Sequence, residues 1–249
     1  EDFIESNNLV IVMEFAGGGD LAQMLKGLKG GRLSEERVLD LFLQVCLGME
    51  HVHSQNFLHR DIKPANILLT SDSPPKIKLA DFGVARVLSA NTLVAKTVIG
   101  TPHYLSPEMV DSKGYNQKSD VWAMGCVLYE MMALKHAFGG NNIMAVVLKI
   151  MQGSPEPLPP MYSKHVKALT DLMLSVEPSS RPSVADVLAH PALQKFLASS
   201  KTRDDTASGG ARQQPRGGAG GESASAHRGS SLEPGRKEGA VAQARRNST

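Results

Sequence analysis

Two stretches decide the reading of this 249-residue sequence: His59-Arg60-Asp61-Ile62-Lys63-Pro64-Ala65-Asn66, and Asp81-Phe82-Gly83 further on. Moving a phosphoryl group onto a hydroxyl needs a carboxylate to orient that hydroxyl and accept its proton. It also needs oxygen ligands for a divalent cation that offsets the phosphate charge. Asp61 is the candidate for the first task, and Asn66 with Asp81 for the second. Lys63 brings a positive charge toward the group in transit. An isolated Asp-Phe-Gly is usually a turn, and an isolated His-Arg-Asp is also common. Their order makes the set specific, together with the two short apolar runs between them, Ile67-Leu68-Leu69 and Ile77-Lys78-Leu79-Ala80.

Working outward, those two runs flank Ser71-Asp72-Ser73-Pro74-Pro75 and read as a small β-hairpin. Upstream, Leu9-Val10-Ile11-Val12-Met13 reads as a buried strand that Ala16-Gly17-Gly18-Gly19 ends. Asp20 then caps a short helix through about Leu25, and Gly27 to Gly31 form a turn. Ser34 opens the next helix, where Val38, Leu41, Phe42, Val45, Met49 and Val52 recur at helical spacing. Downstream, helical patterns cover roughly 118–134, 141–152, 164–175 and 183–189. Few strands and many helices predict a mainly α fold of the α+β kind.

The joint motifs resemble the protein-kinase signature H-R-D-x-x-x-x-N plus D-F-G. The resemblance extends to Ser106-Pro107-Glu108, to Asp120-Val121-Trp122-Ala123-Met124-Gly125 and to Arg181, over roughly residues 3–197. The chain is therefore similar to the C-terminal lobe of a eukaryotic protein kinase with its hinge strand. Among kinases it most resembles the NIMA-related (NEK) serine/threonine family. The carriers are Ile11-Val12-Met13-Glu14-Phe15 with Gly18-Gly19-Asp20-Leu21, Gly100-Thr101-Pro102-His103-Tyr104-Leu105-Ser106-Pro107-Glu108, and Lys118-Ser119-Asp120-Val121-Trp122. The most specific is Gly125 to Phe138, ending Leu134-Lys135-His136-Ala137-Phe138.

The resemblance implies roles. Asp61 is the catalytic base, with Lys63, Asn66 and Thr101 completing the catalytic set. Met13 stands at the back of the adenine pocket, Glu14 and Ala16 offer hinge backbone groups, and Leu68 forms the apolar floor. Lys63, Asn66 and Asp81 face the phosphates, and Asn66 and Asp81 hold Mg²⁺, with Mn²⁺ as an alternative. His59 and Phe82 belong to a stacked column, and Gly83 closes the Asp-Phe-Gly turn. Asp120 holds the catalytic-loop backbone, and Arg181 pairs with Glu108. Lys63 and Thr101 favour Ser/Thr acceptors in protein substrates, with ATP as donor. Thr97 is the expected activating phosphorylation site, whose phosphate would pair with Arg60. Cytoskeletal or ciliary partners rest on family analogy alone.

Composition bounds the rest. Residues 201–249 hold no aromatic residue, and Leu232 and Val241 alone represent the Leu/Ile/Val/Phe/Met set. Such a segment cannot offset its chain entropy. The expected division is a partial kinase domain over 1–199 and a disordered Gly/Ala/Arg-rich tail over 200–249. Residues 1–200 carry 18 Lys and Arg against 20 Asp and Glu, and the tail carries 9 against 5. An acidic body argues against nucleic-acid binding by the folded part. Val121 to Leu134 is too short to span a bilayer and contains Glu130, which argues against a membrane partner. Cys46 and Cys126 fit neither a disulfide framework nor a zinc site. An intracellular, cytoplasmic protein is expected, with cytoskeletal association by family analogy.

The sequence starts at Glu1, in what reads as a strand, and shows neither a G-x-G-x-x-G loop before a strand nor a V-A-I-K-type lysine. The expectation is a fragment whose N-terminal lobe is largely absent. The alternative is a catalytically inactive truncated lobe acting as a protein-binding module. Apolar surface around Leu9–Met13 and Phe82 is expected to be exposed and prone to association.

Overall fold

Helix caps and one buried helix organise the chain. The computed structural model describes residues 2–5, 8–82 and 102–198. Asp20 accepts the Gln23 amide and opens α1 (Leu21–Gly27). Ser34 accepts the Arg37 amide and opens α2 (Glu35–Ser54), whose first turn carries Glu35 and Glu36 against the helix dipole. All six residues expected on the apolar face of α2 are buried. β3 (Ile67–Leu69) pairs antiparallel with β4 (Ile77–Leu79), Ile67 opposite Leu79. Then follow α3 (Pro107–Val110), α4 (Gln117–Ala133), α5 (Ile143–Gln152), α6 (Lys164–Met173) and α7 (Val184–Ala189), and residues 191–198 are helical.

α4 is buried on every side, from Val121 through Tyr129 and on to Ala133. That explains a sequence apolar all round rather than along one stripe. It packs against α2 and α6. At Gly125 an added Cβ would stand 2.9 Å from the Met173 Cβ, so the missing side chain permits the close α4–α6 approach.

One buried pair ties the segment around α3 to this core. The Arg181 guanidinium is fully buried and donates to both Glu108 oxygens, at 2.8 and 2.7 Å. It also donates to the carbonyls of Ser175, Val176 and Lys118 and lies over the Trp122 ring at 4.9 Å. Ser119 adds a 2.6 Å hydrogen bond to Glu108. Burial alone would raise the Glu108 carboxyl, but the bonds from Arg181 and Ser119 outweigh it and hold the group below its ordinary range.

The N-terminal strands differ from the sequence reading. β1 (Asp2–Glu5) pairs antiparallel with β2 (Asn8–Ile11), Phe3 opposite Val10. The expected buried strand over Leu9–Met13 is corrected on both counts: it ends at Ile11, and Ile11 and Met13 are 58% and 71% exposed. Phe3 and Ile4 point to opposite faces of the ribbon and both are exposed, so neither face is covered among the described residues. Two helical segments also went unread. α3 has only four residues, too short to show a period. The other, 191–198, follows α7 after a single intervening residue.

Cys46 and Cys126 are free and buried, and burial pushes both thiols far above their ordinary value. Among the described residues no helix is long and apolar enough to cross a membrane. Gly83, Thr97, Thr101 and the segment 200–249 lie outside the described residues.

Arg181→Met leaves the Glu108 carboxylate buried without its cation. It should lower stability by about 3–5 kcal/mol, read from denaturant unfolding. Glu108→Gln in the same chain should restore part of that loss. In the parent, the depressed Glu108 group contributes stability above its ordinary value of 4.5, lost as pH falls through the folded value.

Candidate active site

The loop between α2 and β3 contains Asp61, and a carboxylate distant in sequence fixes it. Asp120 sits in the first turn of α4, fully buried. Its Oδ2 accepts the His59 amide at 3.0 Å and faces His53 Nε2 at 2.9 Å. Its Oδ1 accepts the Arg60 amide at 3.0 Å and the Tyr115 hydroxyl. The two amide bonds hold Arg60 at φ +67°, a left-handed conformation that costs a non-glycine residue about 1–2 kcal/mol. His59 is buried and stacks on Phe82, ring centroids 4.6 Å apart. Burial lowers the pKa of His59, so the ring in this stack is held neutral.

Asp61 follows directly. Its Oδ2 receives Lys63 Nζ at 2.8 Å and Asn66 Nδ2 at 2.9 Å. Asn66 Nδ2 also donates to the Asp61 carbonyl at 2.8 Å. Both bonds use the amide nitrogen, which turns the Asn66 carbonyl oxygen away from Asp61. The 3₁₀ turn Pro64–Asn66 makes this contact across five residues. The Asp61 side chain stays 17% exposed, which leaves an approach for a small group.

The hairpin delivers the third residue. Beyond β4, the Ala80 amide donates to the Asn66 carbonyl at 2.9 Å. Asp81 comes next, at φ +55°, exposed beside the anchored Asn66. The chain thus brings Asp61, Lys63, Asn66 and Asp81 together through one loop and one strand pair.

The turn after the ribbon docks on the free edge of β3. Gly18 N donates to Leu69 O at 2.8 Å, and Leu69 N to Gly19 O at 2.9 Å. An added Cβ at Gly18 would stand 2.4 Å from the Thr70 carbonyl oxygen, so only glycine fits this approach. Asp20 and Leu68 form an isolated bridge. Leu68 therefore lies close to the segment that follows Glu14 and Ala16. Glu14 also meets Lys78 of β4 at 3.0 Å.

A protein kinase domain model matches residues 1–193. The chain belongs to the protein kinase family. It is 46% identical to mouse serine/threonine-protein kinase Nek1 over 201 residues, covering 79% of this chain and 16% of that protein. It is 46% identical to mouse Nek3 over 197 residues, covering 79% and 38%, and 44% identical to human Nek5 over 195 residues, covering 78% and 27%. The chain thus spans well under half the length of these curated relatives. A solved kinase domain, Rad53 with SCD2 and AMPPNP, superposes with TM-score 0.60 at 28% identity, covering 73% of this chain and 67% of that one. The kinase fold is therefore present, helix-rich with two small sheets.

Reading the kinase motifs found Asp120 but missed two of its partners. His53 lies inside α2, and its partner is 67 residues away, so no local pattern marks it. Tyr115 precedes the α4 cap and reads as an ordinary loop tyrosine. Ser119, read only as part of a motif, also holds Glu108.

Asp120→Ala should strand the His59 and Arg60 amides, at about 1–3 kcal/mol for each buried donor left unpaired. Amide hydrogen exchange at those two residues should rise well before that of the α4 amides. Unchanged protection at both would contradict the anchoring role.

Proposed function

We propose that this kinase chain transfers the γ-phosphoryl group of ATP to serine or threonine hydroxyls of proteins, with Asp61 as catalytic base. The observation that carries it is the Asp61 carboxylate held between Lys63 Nζ and Asn66 Nδ2 on a loop anchored by a buried aspartate. An acceptor hydroxyl that reaches the exposed part of Asp61 would be oriented by it and give up its proton there. Lys63, already beside the carboxylate, would face negative charge on the transferring group.

Asn66 and Asp81 suit a hard divalent cation: one amide oxygen and one carboxylate, both oxygen donors, on backbone tethered at 2.9 Å. Bound there, Mg²⁺ would offset phosphate charge. On the adenine side Glu14 and Ala16 would offer backbone groups, Leu68 an apolar floor, and Met13 the back wall. Thr101 would bracket the acceptor opposite Lys63, and phosphorylation at Thr97 would raise activity.

Asp61→Asn keeps the shape of the site and removes the base. It should lower kcat by about 10²–10⁴-fold, with little change in the KM for ATP. Asp81→Asn should instead raise the Mg²⁺ concentration needed for half-maximal transfer. Equal activity of Asp61→Asn and the parent, measured with radiolabelled ATP and a mixed Ser/Thr peptide library, would reject the assignment.

A further inference from the structure

Between the end of α4 and α5 the chain forms a cavity of about 490 Å³, within the size range of small-ligand sites. None of the residues gathered around Asp61 lines it. Helix ends fix its walls. Leu134 closes α4 in the left-handed conformation at φ +56°, and Lys135 is the first residue beyond it. Asn142 accepts the Ala145 amide at 2.8 Å and opens α5. An added Cβ at Gly140 would stand 2.9 Å from the Ala145 Cβ, so the connecting loop lies directly on the first turn of α5. Gly153 ends α5 at φ +61°, and Ser154, Pro155 and Glu156 complete the lining.

Two lysines from separate elements line this cavity: Lys135 from the loop and Lys149 from the last turn of α5. Glu156 is the one acid in the lining, and it pairs with Lys135. The Lys135 hydrogen bond and charge hold the Glu156 carboxyl below its ordinary range, and the Lys149 charge lowers it further. Lys149 itself has no ion pair among the described residues. Arg32, held on the carbonyls of Met132 and Ala133 at 2.9 and 3.3 Å, adds a further positive charge near Lys135. His136 also lines the cavity, but its ring is committed elsewhere. It stacks on His103 at 4.0 Å, and its Nδ1 lies 3.3 Å from Glu130 Oε2. Positive charge is thus in excess around a single carboxylate.

Tyr129 supplies an independent observation. It is 1% exposed, and its hydroxyl has no hydrogen-bond partner among the described residues. Its ring packs in an apolar cluster with Phe138, Val146 and Ile150. The hydroxyl lies close enough to Lys135 and Glu156 for both charges to act on it. A buried hydroxyl without a partner is costly, and one beside a charged cavity points to a ligand.

We propose that this cavity binds a phosphate monoester dianion, with Lys135 and Lys149 as its cationic arms and the Tyr129 hydroxyl as a further donor. Glu156 brings one negative charge and balances one lysine. A dianion with three acceptor oxygens balances both and still accepts from Tyr129. The Lys135 and Glu156 side chains are 52% and 63% exposed, and an exposed pair of this kind contributes little. The phosphate therefore displaces Glu156 from Lys135. The same chemistry belongs to phosphoserine or phosphothreonine in a protein and to a free phosphate.

The test is isothermal calorimetry on the full chain with inorganic phosphate, a phosphoserine peptide and the same peptide unphosphorylated. The phosphopeptide should bind saturably and the unphosphorylated peptide should not, and binding should weaken as salt rises. Lys135→Gln and Lys149→Gln should each cost about tenfold in affinity, the loss of one charge-assisted hydrogen bond. Glu156→Gln removes the competing carboxylate and should tighten binding roughly threefold. A misfolded variant would not give that gain. Tyr129→Phe should weaken binding several-fold while leaving the melting temperature unchanged or higher. A preference for the peptide assigns the site to phosphorylated protein, and equal affinity for inorganic phosphate assigns it to a free phosphate. The proposal is overturned by no saturable binding of either phosphate probe, by affinity unchanged in both lysine variants, or by a Glu156→Gln variant that binds no tighter. Unchanged affinity in Tyr129→Phe would overturn the role given to that hydroxyl. No turnover is required, so the outcome is independent of the phosphotransfer reading.

Discussion

A single buried carboxylate carries the organisation of this site. Asp120 is fully out of solvent, and an ion in that position is tolerable only if its lone pairs are filled. They are filled by two backbone amides, one imidazole and one phenol. The requirement works in both directions. The amides of His59 and Arg60 satisfy the carboxylate, and the carboxylate forces the loop into the left-handed step at Arg60 that presents Asp61. Function and burial are thus parts of one constraint. The loop cannot relax without stranding a charge beside a helix that is buried on nearly every side.

From that anchor the remaining parts follow by short tethers. Asn66 reads the position of Asp61 twice, through its carbonyl and its carboxylate. The hairpin then passes that position to Asp81 through a single backbone bond. On the other edge of β3, the glycine turn brings the segment after the ribbon against Leu68. Glu108 and Arg181 repeat the principle lower in the structure: a buried ion pair, fully hydrogen-bonded, fixes a connecting segment to α4. Both sites place a polar residue where an apolar one would pack more simply. The return is a defined backbone geometry rather than stability as such.

Much of this was legible in the sequence because it is local. Ser34 and Asp20 announce helices, since a cap acts on amides two or three residues away. The α2 stripe announces its buried face by period. The hairpin is visible as two apolar runs about a proline-rich turn. What was not legible is non-local. Leu9 to Met13 looks like a buried strand because all five residues are apolar and Val10, Ile11 and Val12 are β-branched, and nothing in those residues records whether a partner layer lies over them. The His53 and Tyr115 contacts with Asp120, and the stack of His103 on His136, join residues that no period or spacing connects. The family resemblance implied that Asp120 holds the catalytic loop and that Arg181 pairs with Glu108, but it did not mark His53, Tyr115 and Ser119 as their further partners.

Asp120 is expected to serve the proposed phosphotransfer through Asp61. A double-mutant cycle on phosphotransfer tests this directly, with Asp120→Asn, Asp61→Asn and the pair compared under conditions where all remain folded. If Asp120 acts by holding the loop that presents Asp61, the double variant should be no slower than Asp61→Asn alone, because there is no base left to misplace. Losses that add in full would contradict this coupling and separate the buried Asp120 carboxylate from Asp61.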